Sequence, residues 1–186
     1  MCQCGVWTII ELYHPRSQAL FDHWLSLPRE GVLPLRSAFF PEKVPQILPS
    51  LIIYEMVDKD FIRFRLAGTA VRERMGFDPT GENYLNYVAD ERKEKASQSF
   101  FSVVQKPCGM RVVSNHGMST GRKMFLEVFM LPLENDMSPN PIVLCQSNEI
   151  KPLGEDHLPD NARLENITIV RRDFIDIGAG VSDFKD

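Results

Sequence analysis

The chain has 186 residues, 44% of them hydrophobic and 25% charged, with a net charge of −4 at neutral pH. That size and balance suit one globular domain with extensions. They argue against a nucleic-acid binder, since no segment gathers enough lysine and arginine to neutralise a run of phosphates. The densest basic stretch, Arg63 to Arg74, is interrupted by apolar residues and by Glu73, as a solvated face is. No segment approaches the roughly 20 apolar residues of a membrane span. Met1 to Trp7 lacks the charged flank and apolar core of a signal peptide, so the expectation is a cytoplasmic protein. Its four cysteines, Cys2, Cys4, Cys108 and Cys145, are then expected as free thiols.

In chain order, residues 1–16 read as a tail and 17–50 as a helical extension. From Ser17 to Leu27 the residues Leu20, Phe21, Trp24 and Leu25 recur at helical spacing, and Pro28 stops the run. A second short helix is expected from Pro41 to Leu48, although Pro45 inside it removes a helix hydrogen bond. Residues 51–150 read as the core. Leu51 to Val57 and Phe61 to Ala67 alternate as strands around the turn Asp58-Lys59-Asp60. Closing that hairpin places Met56 opposite Ile62, Tyr54 opposite Phe64 and Ile52 opposite Leu66, an apolar face for a core or a pocket. The other face pairs Glu55 with Arg63 and Ile53 with Arg65.

Thr69 can cap a helix through Met75, with Gly76 as its left-handed terminus, and Asp78-Pro79-Thr80-Gly81 forms a turn. Asp90 caps a longer helix to about Gln105, whose buried stripe is Ala96, Phe100, Val103 and Val104. Met110 to Asn115, Lys123 to Leu133 and Pro141 to Ser147 follow as strands on turn-rich connections. Residues 151–186 read as a polar linker, one extra strand from Asn166 to Ile177, and a tail. The class is α+β, with about five antiparallel strands and helices on one face.

"LPSLIIYEMV", "FIRFRLAGT", "RMGFDPTGENYLNYV" and "DFIDIGAG" give this order a family likeness. It resembles the PAS fold, and in particular the stand-alone PAS-like domains of bacteria, over about Ser17 to Gly180. The spacing of Gly68-Thr69, Gly76 and Thr80-Gly81 carries the likeness; it is not a catalytic signature. The resemblance implies a sensory or regulatory module without catalysis of its own. Such a module binds a small ligand between sheet and helices, or signals to a protein partner as a homodimer through its N-terminal helix and outer sheet face. Flavin-adduct members carry an Asn-Cys-Arg-Phe-Leu type segment that is absent between Thr69 and Gln105, and residues 88–106 hold no His for haem ligation. No cofactor is therefore expected.

Several residue groups have two readings. Tyr54, Phe64, Tyr84, Tyr87 and Phe100 either line a ligand pocket or form ordinary aromatic core. Arg111, Asn115, Glu127 and Gln146 are the strand polar residues that would converge on a ligand from the sheet, with Glu127 and Gln146 taken as pocket candidates, unless they simply pair or face water. Leu20, Phe21, Trp24 and Leu25 suit either the core or a dimer seam, and the resemblance favours the seam. Cys2-x-Cys4 with His14 has one residue too few between its cysteines for a usual zinc pair, so no metal site is expected. A small hydrolase or transferase using Cys108, Ser114 or His116 remains as an alternative, with no Gly-x-Ser-x-Gly elbow behind it. His116 reads as a surface residue at a strand end. A ligand-free interaction adaptor is the third reading.

Overall fold

The computed structural model describes residues 11–151 and 162–185. Six strands form one antiparallel sheet: β1 (Leu51–Asp58), β2 (Phe61–Ala67), β3 (Cys108–Met118), β4 (Lys123–Leu133), β5 (Ile142–Lys151) and β6 (Leu164–Asp176). Their order across the sheet is β2-β1-β5-β4-β3-β6. The expected extra strand is thus the sixth, paired with β3 from Cys108 and Asp176 to Met118 and Leu164. This pairing makes β3 an interior strand and lets it run to Met118, beyond the polar residues where its apolar pattern ends.

Both faces of the sheet are covered, which explains why β4 is almost continuously apolar rather than alternating. One face meets α2 (Thr69–Met75), a 3-10 turn at Tyr84–Tyr87 and α3 (Asp90–Gln105). Its core takes Met124, Leu126, Val128 and Met130 from β4. The other face meets the N-terminal extension, namely α1 (Pro15–Ser26) and 3-10 turns at Arg36–Ala38, Pro41–Lys43 and Pro45–Ser50. There Phe129, Leu131 and Leu133 of the same strand pack with Leu20 and Trp24. The second expected helix is therefore two turns. They break at Val44 (φ −135°, ψ 60°), because Pro45 cannot donate into a continuous helix.

The hairpin keeps its expected register from Met56–Ile62 to Tyr54–Phe64, then shifts so that Ile53 meets Leu66 and Ile52 meets Ala67. The residue skipped is Arg65. A bulge absorbs one residue on one strand, and here it lets both Arg63 and Arg65 reach the buried Glu55 carboxylate, at 3.1 and 3.4 Å. Asn140 Nδ2 donates a third hydrogen bond to Glu55 at 3.0 Å.

Two helix starts lie one residue earlier than expected. Gly68 caps α2 and Ala89 caps α3, leaving Thr69 and Asp90 as first helical residues. Gly76 does end α2 in the left-handed conformation, at φ 78°. Past that turn, Asn83 ties the helical corner to the sheet edge. Its Oδ1 accepts from the N–H groups of Ile62 and Leu85, both at 3.1 Å, and its Nδ2 donates to the Asp60 carbonyl at 2.7 Å. Asn83→Ala is expected to cost about 1–2 kcal/mol, through a lost cap and two orphaned amides. Urea denaturation reads this as a lower midpoint with an unchanged slope.

Candidate functional site

Between the sheet and the α2–α3 layer lies a cavity of about 50 Å³. Aromatic rings close one side. Tyr54, Tyr84 and Phe100 meet with centroids 5.1–5.6 Å apart, and Phe64 sits 4.9 Å from Tyr54. Four of the five expected aromatics, Tyr54, Phe64, Tyr84 and Phe100, line the cavity. Tyr87 stands outside that lining, packed on Phe64 at 6.3 Å and on Phe77 at 5.9 Å.

The polar part of the wall comes from residues that the sequence reading did not assign to the pocket. Ser114 and His116 alternate with Met110 and Val112 along β3 and share their face, so both point into the cavity rather than to a surface. The sequence signal for them was the period-2 spacing from Met110 to Met118, obscured by the polar composition of the strand's second half. Arg74 enters from α2, and its Nη2 donates to the Ser147 carbonyl at 2.8 Å and to Ser147 Oγ at 3.0 Å.

The lining carries polar groups without hydrogen-bond partners among the described residues. Ser114 is 1% exposed, and its Oγ has no hydrogen-bond partner among the described residues. The Tyr54 and Tyr84 hydroxyls and the His116 imidazole likewise form no hydrogen bond among the described residues. Burial raises the Tyr54 hydroxyl well above its ordinary range, helped by Cys145 and Tyr84, and pushes Tyr84 up to about 12. Burial, and then the Arg74 charge, hold His116 down to about 3, so the ring is neutral near pH 7. Burial also lowers the Arg74 guanidinium to about 10, which leaves it charged. The wall formed by Tyr84, Ile167, Ile169 and Arg172 is shared with an outer groove of about 380 Å³ beside the start of α3. A route into the cavity would open there.

Glu127 and Gln146, expected beside a ligand, lie outside the lining of this cavity. They sit on the opposite face because strand side chains alternate, and they bind the chain's own N-terminal extension. The fully buried Glu127 carboxylate accepts from the N–H groups of Tyr13 at 2.5 Å and His14 at 3.2 Å. Gln146 donates to the Ile47 carbonyl at 2.9 Å. Beside them, Arg111 donates to the Glu11 carbonyl and pairs with Asp173 at 2.7 Å. The polar stripe across the sheet therefore holds the segment that leads into α1 and the 3-10 turn at Pro45–Ser50.

The residues expected at a dimer seam all lie on α1. Leu20 and Trp24 are 0% exposed within this chain, and Phe21 rests edge-on against Phe129 at 5.7 Å. Only Leu25, at 37%, keeps substantial exposure. The sheet claims the inner face of α1, so a partner could reach Leu20 and Trp24 only by displacing it.

Cys108 and His116 lie at opposite ends of β3, about 26 Å apart at strand rise, which separates a thiol from its candidate base. No group of three or more metal-ligating side chains occurs among the described residues. Cys2 and Cys4 lie outside them. No helix among the described residues is long and apolar enough to cross a membrane.

A family model described as a PAS domain matches residues 12–145, which takes in both faces of the sheet and stops before β6. No curated protein matches the chain. Among solved structures, the Rhodobacter sphaeroides LOV protein is 12% identical with a TM-score of 0.45, over 64% of this chain and 73% of that one. The Vibrio cholerae VqmA dimer, described in connection with target DNA, is 12% identical with a TM-score of 0.44, over 61% of this chain and 54% of its own. An RNA-binding light-oxygen-voltage receptor is 13% identical with a TM-score of 0.46, over 66% of this chain and 35% of its own.

Proposed function

Because the chain belongs to the PAS domain family, we propose that it is a non-catalytic sensory or regulatory module whose input is a small ligand held between sheet and helices. One observation carries this reading. Tyr54, Tyr84, Ser114 and His116 line one cavity, and their polar side-chain groups form no hydrogen bond among the described residues. A buried polar group left unsatisfied, as Ser114 Oγ is among the described residues, costs about 1–3 kcal/mol. A sequence that places it beside three further polar side chains without hydrogen bonds among the described residues supports an occupant that supplies the missing bonds. The cavity lies well below the roughly 300–1,000 Å³ of drug-sized pockets, so that occupant is small.

The output follows from what the cavity touches. Val71, Arg74 and Met75 of α2 and Tyr84 beyond the corner line it, so an occupant bears on the segment that joins the hairpin to α3. A ligand with higher affinity for one arrangement of that segment shifts the protein toward it. We propose that the shift is passed to a protein partner by a cytoplasmic homodimer. Native mass spectrometry of the protein purified from its own cells, compared with its denatured mass, tests both parts. The expected result is a dimer carrying a small extra mass that is lost on denaturation. A clean protein mass would favour an interaction adaptor instead.

A further inference from the structure

We propose that the cavity is a site for a small monocarboxylate, its carboxylate paired with the Arg74 guanidinium and its short apolar tail among Met75, Met110 and Met130. This rests on the ligand-binding reading above and adds the ligand's chemical class. Three observations point to it.

The first is an incompletely used cation. Both hydrogen bonds of Arg74 leave from Nη2, so Nη1 and Nε carry none among the described residues. The charges of Glu149 and Glu73 reach Arg74, but neither residue forms an ion pair with it among the described residues. A guanidinium packed into a protein without a counter-ion in contact is poorly compensated. Its planar fork matches a carboxylate through two parallel N–H bonds.

The second is the arrangement of donors around it. The Ser114 hydroxyl and the neutral His116 ring line the same cavity without hydrogen-bond partners among the described residues, and each can donate to a carboxylate oxygen that Arg74 leaves unfilled. Arg172 brings a second positive charge to the wall. The third is size and lining. About 50 Å³ holds about four waters, hence a ligand of about four to six heavy atoms. Thioether side chains adapt to a short alkyl tail, whereas phosphate would leave this apolar wall unused.

The test is an NMR titration of the full chain labelled at its methionine methyls, at constant ionic strength. The probes are propionate, its uncharged isostere propionamide, and inorganic phosphate. The expected result is saturable shifts with propionate that propionamide and phosphate do not reproduce, weakened about tenfold or more in Arg74→Met. Should Arg74→Met fail to fold, Ser114→Ala serves in its place, with several-fold weaker propionate binding expected. Propionamide or phosphate binding as well as propionate would overturn the carboxylate while leaving a ligand cavity intact. Equal propionate affinity in wild type and in whichever variant folds would overturn the assigned contacts. No shift with any probe would overturn the monocarboxylate, and the ligand-binding reading would then stand or fall on the native mass alone.

Discussion

Replacing Trp24 with alanine is expected to lower the unfolding free energy by about 3–5 kcal/mol. The indole is 0% exposed and packs among side chains of the extension and of the sheet's second face. Its Nε1 donates to the Pro132 carbonyl at 2.9 Å. Arg29 covers the ring at 4.2 Å and donates to the Trp24 carbonyl, so the side chain also orders the loop after α1. Truncation therefore removes apolar burial, opens a cavity and orphans a carbonyl. Because Trp24 is one of two tryptophans, the transition should be followed by far-UV circular dichroism rather than fluorescence. A loss below about 1 kcal/mol would mean that α1 is not part of the core. If Trp24 instead belonged to a seam between chains, the loss would depend on protein concentration. It should be the same at low and high concentration.

That result bears on what the sequence can say about the extension. The stripe of Leu20, Phe21, Trp24 and Leu25 announces a helix with one apolar face, and α1 forms over those residues. Periodicity does not say what covers the face, and an intrachain sheet and a second chain look alike from the stripe alone. The deciding information lay about a hundred residues away in Arg111, Glu127 and Gln146. Their partners are main-chain groups of the extension, which carry no side-chain identity to be read. The core hairpin was more legible. Local alternation and the turn at Asp58-Lys59-Asp60 determine its register, and only the bulge at Arg65, set by the demands of buried Glu55, escapes that pattern.

The candidate site was legible by half for a related reason. Tyr54, Phe64, Tyr84 and Phe100 are large and apolar enough to declare themselves as lining. Ser114, His116 and Arg74 look like surface in any window around them. What turns them inward is β6, whose pairing makes β3 an interior strand, and α2, which lies across β5 near Ser147. One sheet thus holds two polar sets of opposite meaning. One is satisfied by the N-terminal extension and fastens it; the other is left open toward a cavity.

The open set should be visible in the pH dependence of stability. His116 is held down to about 3 in the native protein, against an ordinary value of 6.5. Below pH 6.5 the unfolded chain takes up a proton that the native chain refuses, so stability falls as pH drops through the window from 6.5 to 3. Burial of the ring enforces this first, and then the Arg74 charge. Arg74 from α2 repels the cation, Arg172 from β6 adds positive charge at the same cavity, and Met124 and Ile167 on the neighbouring strands supply no counter-charge. The slope reaches at most about 1.4 kcal/mol per pH unit, less where solvent screens the half-buried ring. His14 and His23, both also lowered, act in the same direction. Asp78, Asp90, Asp136 and Asp173 have carboxyls held below 3.8, so their losses begin only at lower pH. Between about pH 6 and 4.5 the decline is therefore a histidine property. His116→Asn, which keeps a polar side chain of similar reach, should flatten that limb of the stability profile, while His23→Asn should flatten it less. Urea midpoints for the three proteins across that range decide the matter. An unchanged limb in His116→Asn would place the ring in water and remove it from the cavity wall.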